Sequence, residues 1–334
     1  MTDSSIRPPL ISAGVYPSFS FADLYELADL FDDSRIDTLW VGDSHLIWRE
    51  CWTTITALAT RTSSLRFGSC VSNPISRHAS VTASTLATLQ ELSGGRVRLG
   101  IGVGDSALRM TYGRVAKLKE LETAVEMIRG LLRGEEYEHD GSPLALARVA
   151  PGTEIYVSGS GPKTMAMAGK IGDGAIVVPG LIAARVEQAF AAVATGAAES
   201  GRTEAPRRLL WIAFAMDVDR KRALEAVRPW VASVLRHPLP FEISEELKEI
   251  RAAIRATYDF THHMAGSAGH ASAVPDHIVQ EFAVAGDPDE VGELMARACA
   301  LDVDEVAFVL MGDDQLGAAR SLVSALATYD GVRP

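Results

Sequence analysis

Four short stretches hold residue types that could do chemistry. In WVGDSHLIW (40–48) an acid, a hydroxyl and an imidazole, Asp43, Ser44 and His45, follow an apolar run beside two tryptophans, with Trp52 close behind. An imidazole can serve as general acid or base near neutral pH, and indoles offer a flat apolar wall to a ring system. SNPISRHAS (72–80) brings Asn73, Arg77 and His78; Arg77 suits an anion or Asp43 as partner, and His78 suits the start of a helix. GIGVGDS (100–106) alternates Gly100, Gly102 and Gly104 ahead of Asp105 and Ser106. Such glycines either admit a ligand close to the backbone or only relieve crowding. Asp105 can act as an acid, accept a hydrogen bond, or cap the next helix. In SGSGPKT (158–164), Gly159, Ser160 and Gly161 precede Pro162, which fits a first helical position. Free amides there could cradle a phosphate, with an ordinary capped helix start as the alternative.

The elements that must position these residues alternate regularly. Apolar runs of strand length fall at 10–16, 37–43, 66–74, 96–104, 154–159, 173–179, 208–218 and 304–311, and helical periodicity follows each of them. Continuously apolar strands separated by helices imply a parallel sheet covered on both faces. Eight such units in 334 residues predict an α/β fold, a closed (β/α)8 TIM barrel forming a single domain. The stretch from about 237 to 287, between the seventh and eighth strands, reads as an inserted helical segment over the barrel mouth. In such a barrel the active site collects at the C-terminal ends of the strands, which is where all four stretches fall.

The glycine pattern at 100–106 does not make a dinucleotide fingerprint. Its spacing is Gly-x-Gly-x-Gly, it lies in the fourth unit, and the acids downstream, Glu120 and Glu122, fall inside a predicted helix. The turn at 158–164 lacks the Gly-Lys-Ser/Thr ending of a Walker loop. A net charge of −11 with no basic stripe argues against nucleic acid as a partner. No leader-like start and no apolar run of membrane-spanning length is visible, so the chain reads as a cytoplasmic protein that does not engage a membrane. Its three cysteines, Cys51, Cys70 and Cys299, are widely spaced and read as reduced thiols. His262 and His263 lack spaced carboxylate partners, so no metal site is expected.

In order along the chain, WVGDSHLIW, GSCVSNPISRHAS, GGRVRLGIGVGDSALR and SGSGPKTMAMAGKIGDGAIV resemble the bacterial luciferase-like superfamily of flavin and deazaflavin enzymes. They look most like its methylenetetrahydromethanopterin reductase branch. The resemblance implies a barrel, usually homodimeric, that binds coenzyme F-420 or FMN at the C-terminal rim and transfers hydride to or from a small organic substrate. It also implies a non-prolyl cis peptide at Cys70–Val71 behind the ring, with Asn73 and Gly102 nearby. His45 and Asp105 would be catalytic groups together with Asp43, and Gly104, Ser106, Gly159, Ser160 and Gly161, with Pro162 beside them, would hold the phosphate. Two departures stand out: Ser44 separates Asp43 from His45 where the related sugar-phosphate dehydrogenase has an adjacent Asp-His pair, and Asp105 replaces its glutamate. An FMN-dependent monooxygenase that consumes oxygen is the alternative; a barrel that only binds ligand is disfavoured by the Asp43, His45 and Asp105 set.

Overall fold

Parallel strands close on themselves in a computed structural model that describes residues 8–258 and 269–329. The chain begins β1 (Leu10–Val15), α1 (Phe21–Asp32), β2 (Ile36–Val41), α2 (Cys51–Ala59), β3 (Arg66–Ser69), α3 (Ala79–Ser93) and β4 (Val97–Ile101). Two helices then follow one strand, α4 (Ser106–Tyr112) and α5 (Leu118–Arg133), and after them a hairpin of β5 (Tyr137–His139) and β6 (Ser142–Leu144). The alternation resumes with β7 (Ile155–Ser158), α6 (Pro162–Ile171), β8 (Gly174–Val177), α7 (Ala183–Glu199), β9 (Arg207–Met216) and α8 (Arg220–Arg236). The last part comprises α9 (Glu245–Thr257), a 3-10 turn at Gly269–Ala273, α10 (Asp276–Phe282), β10 (Ala283–Gly286), α11 (Pro288–Cys299), β11 (Glu305–Leu310) and α12 (Gln315–Thr328).

The strand order is β1-β2-β3-β4-β7-β8-β9-β11, and β11 returns to β1 in parallel register, Leu10 opposite Glu305, which closes an eight-stranded barrel. All eight expected strands are present. The expectation missed β10, which pairs with Ala213–Met216 of β9 beyond the Arg207–Leu210 stretch that β8 uses. Four small residues, AVAG, directly after a helix carry no period that separates a strand from one more helical turn. The segment expected as a helical insertion therefore ends in a strand. His262 and His263 lie outside the described residues. Among the described residues no helix is long and apolar enough to cross a membrane, and no group of three metal-ligating side chains occurs.

Period-2 alternation decides which side chains fill the barrel. On β9, Leu209, Trp211, Ala213 and Ala215 belong to the interior cluster, while Leu210, Ile212 and Phe214 pack outward under the helices. Aromatic rings take up much of the interior, and they need glycines opposite them. A Cβ at Gly68 would stand 2.4 Å from the Trp40 ring, one at Gly174 2.3 Å from Tyr156, and one at Gly14 2.5 Å from Trp211. Gly100, first of the alternating glycines, serves the same packing, since its Cβ would meet the Ser69 carbonyl oxygen at 2.0 Å.

Candidate active site

At the C-terminal ends of the strands the barrel opens into a cavity of about 440 Å³, within the ordinary range for a small-ligand site. Its apolar walls come from Tyr16 after β1, Trp48 before α2, Val71, Ile176, Trp211 and Trp230, and Tyr16 and Trp48 are stacked with ring centroids 4.3 Å apart. Polar groups are few. They include Asp43, Asn73, Asp105, Ser106, Ser158, Ser160 and His237.

One wall is set by the bend after β3. The Cys70–Val71 peptide bond is cis, both residues line the cavity, and Gly102 of the neighbouring strand end faces them. A Cβ at Gly102 would lie 3.3 Å from the Val71 Cγ2 and 3.4 Å from the Ser158 Cβ, so only the missing side chain keeps this face flat. Gly104 lies two residues on at φ +76°, a left-handed conformation that glycine adopts without strain. The Asn73 side-chain oxygen accepts from the Ile75 and Ser76 amides at 3.0 and 2.8 Å. That leaves its NH2 as the group open to a ligand.

Asp43 follows β2 and is buried in the cavity wall. Its Oδ2 accepts from the Ser72 hydroxyl at 2.8 Å and from Arg77 at 3.1 Å, and Arg77 also pairs with Glu50. Of the two roles open to Arg77, the structure takes the pairing with Asp43. Burial raises the Asp43 carboxyl above its ordinary range, against the pull of Arg77 and Ser72. The Ser44 hydroxyl is buried against that of Ser106 at 2.9 Å. His78 caps α3, its ring nitrogen accepting from the Ser80 amide.

Asp105 precedes α4 without a side-chain capping bond. Its Oδ1 accepts from Arg109 at 2.9 Å, and its Oδ2 meets Arg236 and, at 3.5 Å, His237 Nε2. Although burial pushes this carboxyl up, His237 and Arg236 prevail and hold it far below the usual carboxylate range. Of the roles the sequence leaves open, the geometry supplies the acceptor: a carboxylate so held does not act as an acid near neutral pH.

The structure brings Asp43, Asp105, Cys70, Val71, Asn73, Gly102, Gly104, Ser106, Gly159 and Ser160 together around one cavity. It does not bring His45, Gly161 or Pro162 there. His45 is exposed at the rim, with Nε2 3.5 Å from the Thr111 hydroxyl. Gly161 lies under the loop after α8, where its Cβ would meet Pro238 at 2.9 Å. The turn at 158–164 is a self-capped helix start: the Ser160 and Gly161 amides donate to Thr164 Oγ1 at 3.0 and 3.1 Å, and the Gly159 amide donates to the Ile176 carbonyl at 3.1 Å. Sequence reasoning missed Tyr16, Trp211, Trp230 and His237. The alternation of β9 could have nominated Trp211; Trp230 and His237 belong to α8 and its end, where nothing local signals a turn toward the mouth.

Known proteins share this fold. The luciferase-like monooxygenase family matches residues 5–305. A 5,10-methylenetetrahydromethanopterin reductase of Archaeoglobus fulgidus is 29% identical over 303 residues, covering 87% of this chain and 90% of the relative. An F-420-dependent glucose-6-phosphate dehydrogenase of Nocardia farcinica is 28% identical over 326 residues, covering 89% and 90%. Among solved structures, an F-420-dependent secondary alcohol dehydrogenase in complex with an F-420-acetone adduct superposes with a TM-score of 0.76 at 19% identity, over 98% of this chain and all of that one.

Proposed function

Since this chain belongs to the luciferase-like monooxygenase family, whose members are enzymes, we propose that it is an oxidoreductase using coenzyme F-420 as hydride carrier toward a small organic substrate. The relatives named for F-420 chemistry, each covering most of the chain, support that reading. The observation that carries it is the flat cradle formed by Val71 and Gly102 in a cavity that Trp48, Tyr16 and Trp211 also line. A planar tricyclic ring fits this shape, and a side chain at position 102 would fill it.

A deazaflavin held there supplies a carbon centre that carries hydride and reacts poorly with oxygen. The chain's own residues do the rest. Val71 and Gly102 would back the ring, the aromatic walls would exclude water, and the Asn73 NH2 and the Asp43 carboxylate would offer it a hydrogen-bond donor and acceptor. The two turns that line the cavity, Gly104–Ser106 and Gly159–Ser160, would hold the tail. Because the amides of the second turn are already bonded within the chain, the Ser160 hydroxyl is the phosphate donor we assign there.

The test is a titration of cofactor-free protein with F-420 and, separately, with FMN, followed by ring fluorescence. The expected result is F-420 affinity at least about tenfold above that for FMN, or ~1.4 kcal/mol. Preference for FMN overturns the reading in favour of a monooxygenase, with oxygen uptake as the confirming assay. The homodimer implied by the resemblance has a candidate surface on the outer face of α3, where Val81 is 52% and Leu92 47% exposed. Sedimentation of wild type and Leu92→Glu tests it, a monomeric variant being the expected outcome.

A further inference from the structure

We propose that His237 is the residue that passes protons to and from the substrate in this cavity, with Asp105 orienting its ring and stabilising its charged form. The proposal rests on the oxidoreductase reading above and names the proton-carrying group that reading requires.

Reduction of a C=O or C=N bond needs a hydride at carbon and a proton at the heteroatom. Most groups around this cavity are poor sources of that proton. The Ser44 hydroxyl, directly after Asp43, is buried against Ser106, and His45 is exposed and does not line the cavity. Burial pushes the Tyr16 phenol and the Cys70 thiol well above their ordinary ranges, so both keep their protons. Asp105 is held as a carboxylate. Asp43 gives its Oδ2 to Ser72 and Arg77, and the reading above assigns its open side to the cofactor as a hydrogen-bond acceptor.

Among the described residues, His237 is the one histidine lining the cavity. Its backbone is fixed on both sides: the amide donates to the Val234 carbonyl at 3.0 Å, and the carbonyl accepts from Arg251 at 2.7 Å. Pro238, the next residue, packs over Gly161. The ring Nε2 lies 3.5 Å from Asp105 Oδ2 and 3.1 Å from an Arg236 nitrogen, while Nδ1 has no protein partner among the described residues. The charges around it come from every neighbouring element. Asp105 and Arg109 approach from α4, Arg236 from α8, and Arg251 and Arg255 from α9, with the Tyr258 ring stacked on Arg236 at 4.5 Å. Among these, Asp105 is the one carboxylate, and it faces the ring at Nε2.

The step balances as follows. A hydride with its electron pair arrives at the substrate carbon from the reduced cofactor, which is oxidised by two electrons. The C=O or C=N π bond opens, and its heteroatom takes the proton from the His237 imidazolium. The ring regains a proton from water at the mouth, where its side chain is 29% exposed. Substrate oxidation runs the same path in reverse.

Two readouts that do not depend on turnover test the assignment. In the first, free and F-420-saturated protein are treated with diethyl pyrocarbonate and mapped by peptide mass spectrometry, with ring fluorescence verifying occupancy in the same samples. His237 should be modified in the free protein and protected at least fivefold by F-420, whereas His45 reacts equally in both. Equal labelling of His237 at full occupancy overturns its place in the site, while absent occupancy counts against the F-420 reading itself. The second readout is the 15N ring signal of His237 at fixed pH, assigned by its loss in His237→Asn, and it decides the pairing with Asp105 whether or not F-420 binds. Asp105→Asn should move the Nε2 signal of His237, which lies 3.5 Å from Asp105 Oδ2, and leave that of His45 in place. A His237 Nε2 signal unmoved in Asp105→Asn overturns the proposal.

Discussion

Glu305 at the floor of the barrel and Asp43 at its mouth are both buried carboxylates paired with an arginine, and burial raises both above the ordinary carboxyl range. Their surroundings differ. The Glu305 Oε1 accepts from Ser12 at 2.5 Å and from Trp40 Nε1 at 3.0 Å, and its Oε2 meets Arg98 at 3.2 Å. Arg98 in turn faces Glu154 at 2.8 Å and Asp37 at 3.4 Å. Asp43 bonds through Oδ2 alone, and its Oδ1 has no protein partner among the described residues. A carboxylate enclosed by its partners secures the fold; one that keeps lone pairs at a cavity wall is available to a ligand. The same residue chemistry thus secures the N-terminal face and, in the function proposed above, serves a ligand at the C-terminal face, as barrels divide those tasks.

The most severe way to break this contrast is at the floor. Arg98→Met leaves Glu305 buried without its cation, and we expect a loss of about 3–5 kcal/mol in urea unfolding. F-420 affinity of the folded fraction should be unchanged. A second pair of variants compares glycines at the two levels. Gly68→Ala drives a methyl into the Trp40 ring and should cost about 1–3 kcal/mol of stability. By contrast, Gly102→Ala, whose Cβ at 3.3 Å asks the Val71 side chain to give by only a fraction of an ångström, should cost less stability than Gly68→Ala, under about 1 kcal/mol, while weakening F-420 several-fold.

At the mouth, Asp43→Asn should reduce F-420 affinity about tenfold, ~1.4 kcal/mol, with a smaller change in urea midpoint. An unfolding loss as large as that of Arg98→Met would erase the distinction between the two carboxylates. Asp32, at the end of α1, sharpens it from the pH side. It accepts from the Ser63, Ser64 and Leu65 amides, and against a partial desolvation these hold its carboxyl far below the usual range. A depressed folded-state value means that its stabilisation is complete above the unfolded value of about 4 and drains away as pH falls through the folded one. Asp32→Asn should therefore cost about 1 kcal/mol at pH 7, with a deficit that shrinks below about pH 4 in parallel unfolding series. The smallest effect is expected at the rim: His45→Asn, exposed and off the cavity, should change F-420 binding by less than about twofold.

The barrel was legible because its signal is repeated. Eight apolar runs spaced by amphipathic helices admit few architectures, and each run errs only at its ends. Sites at strand ends inherited that legibility: Asp43, Asn73, Gly102, Gly104 and Asp105 all reach the cavity, since a residue just past a barrel strand can hardly avoid the mouth. His45 shows the limit, because two residues of loop were enough to turn its ring away from the cavity. The self-capping of the turn at 158–164 was equally hidden, since sequence cannot say whether the Thr164 hydroxyl or a ligand takes the Ser160 and Gly161 amides.

By itself, then, the sequence determined the strand-helix alternation, the face on which polar residues gather, and the family that the chain belongs to. These follow from periodicity and short motifs, which are local. Only the tertiary structure decided that Glu305 meets Arg98 across 207 positions of chain and that Asp105 meets Arg236 across 131. It also decided that Trp211 and Trp230 wall the cavity and that His237, from the far end of α8, stands at its edge. Those pairings arise when the barrel closes and brings remote strand ends into one ring, and no local pattern records which side chains will then face each other.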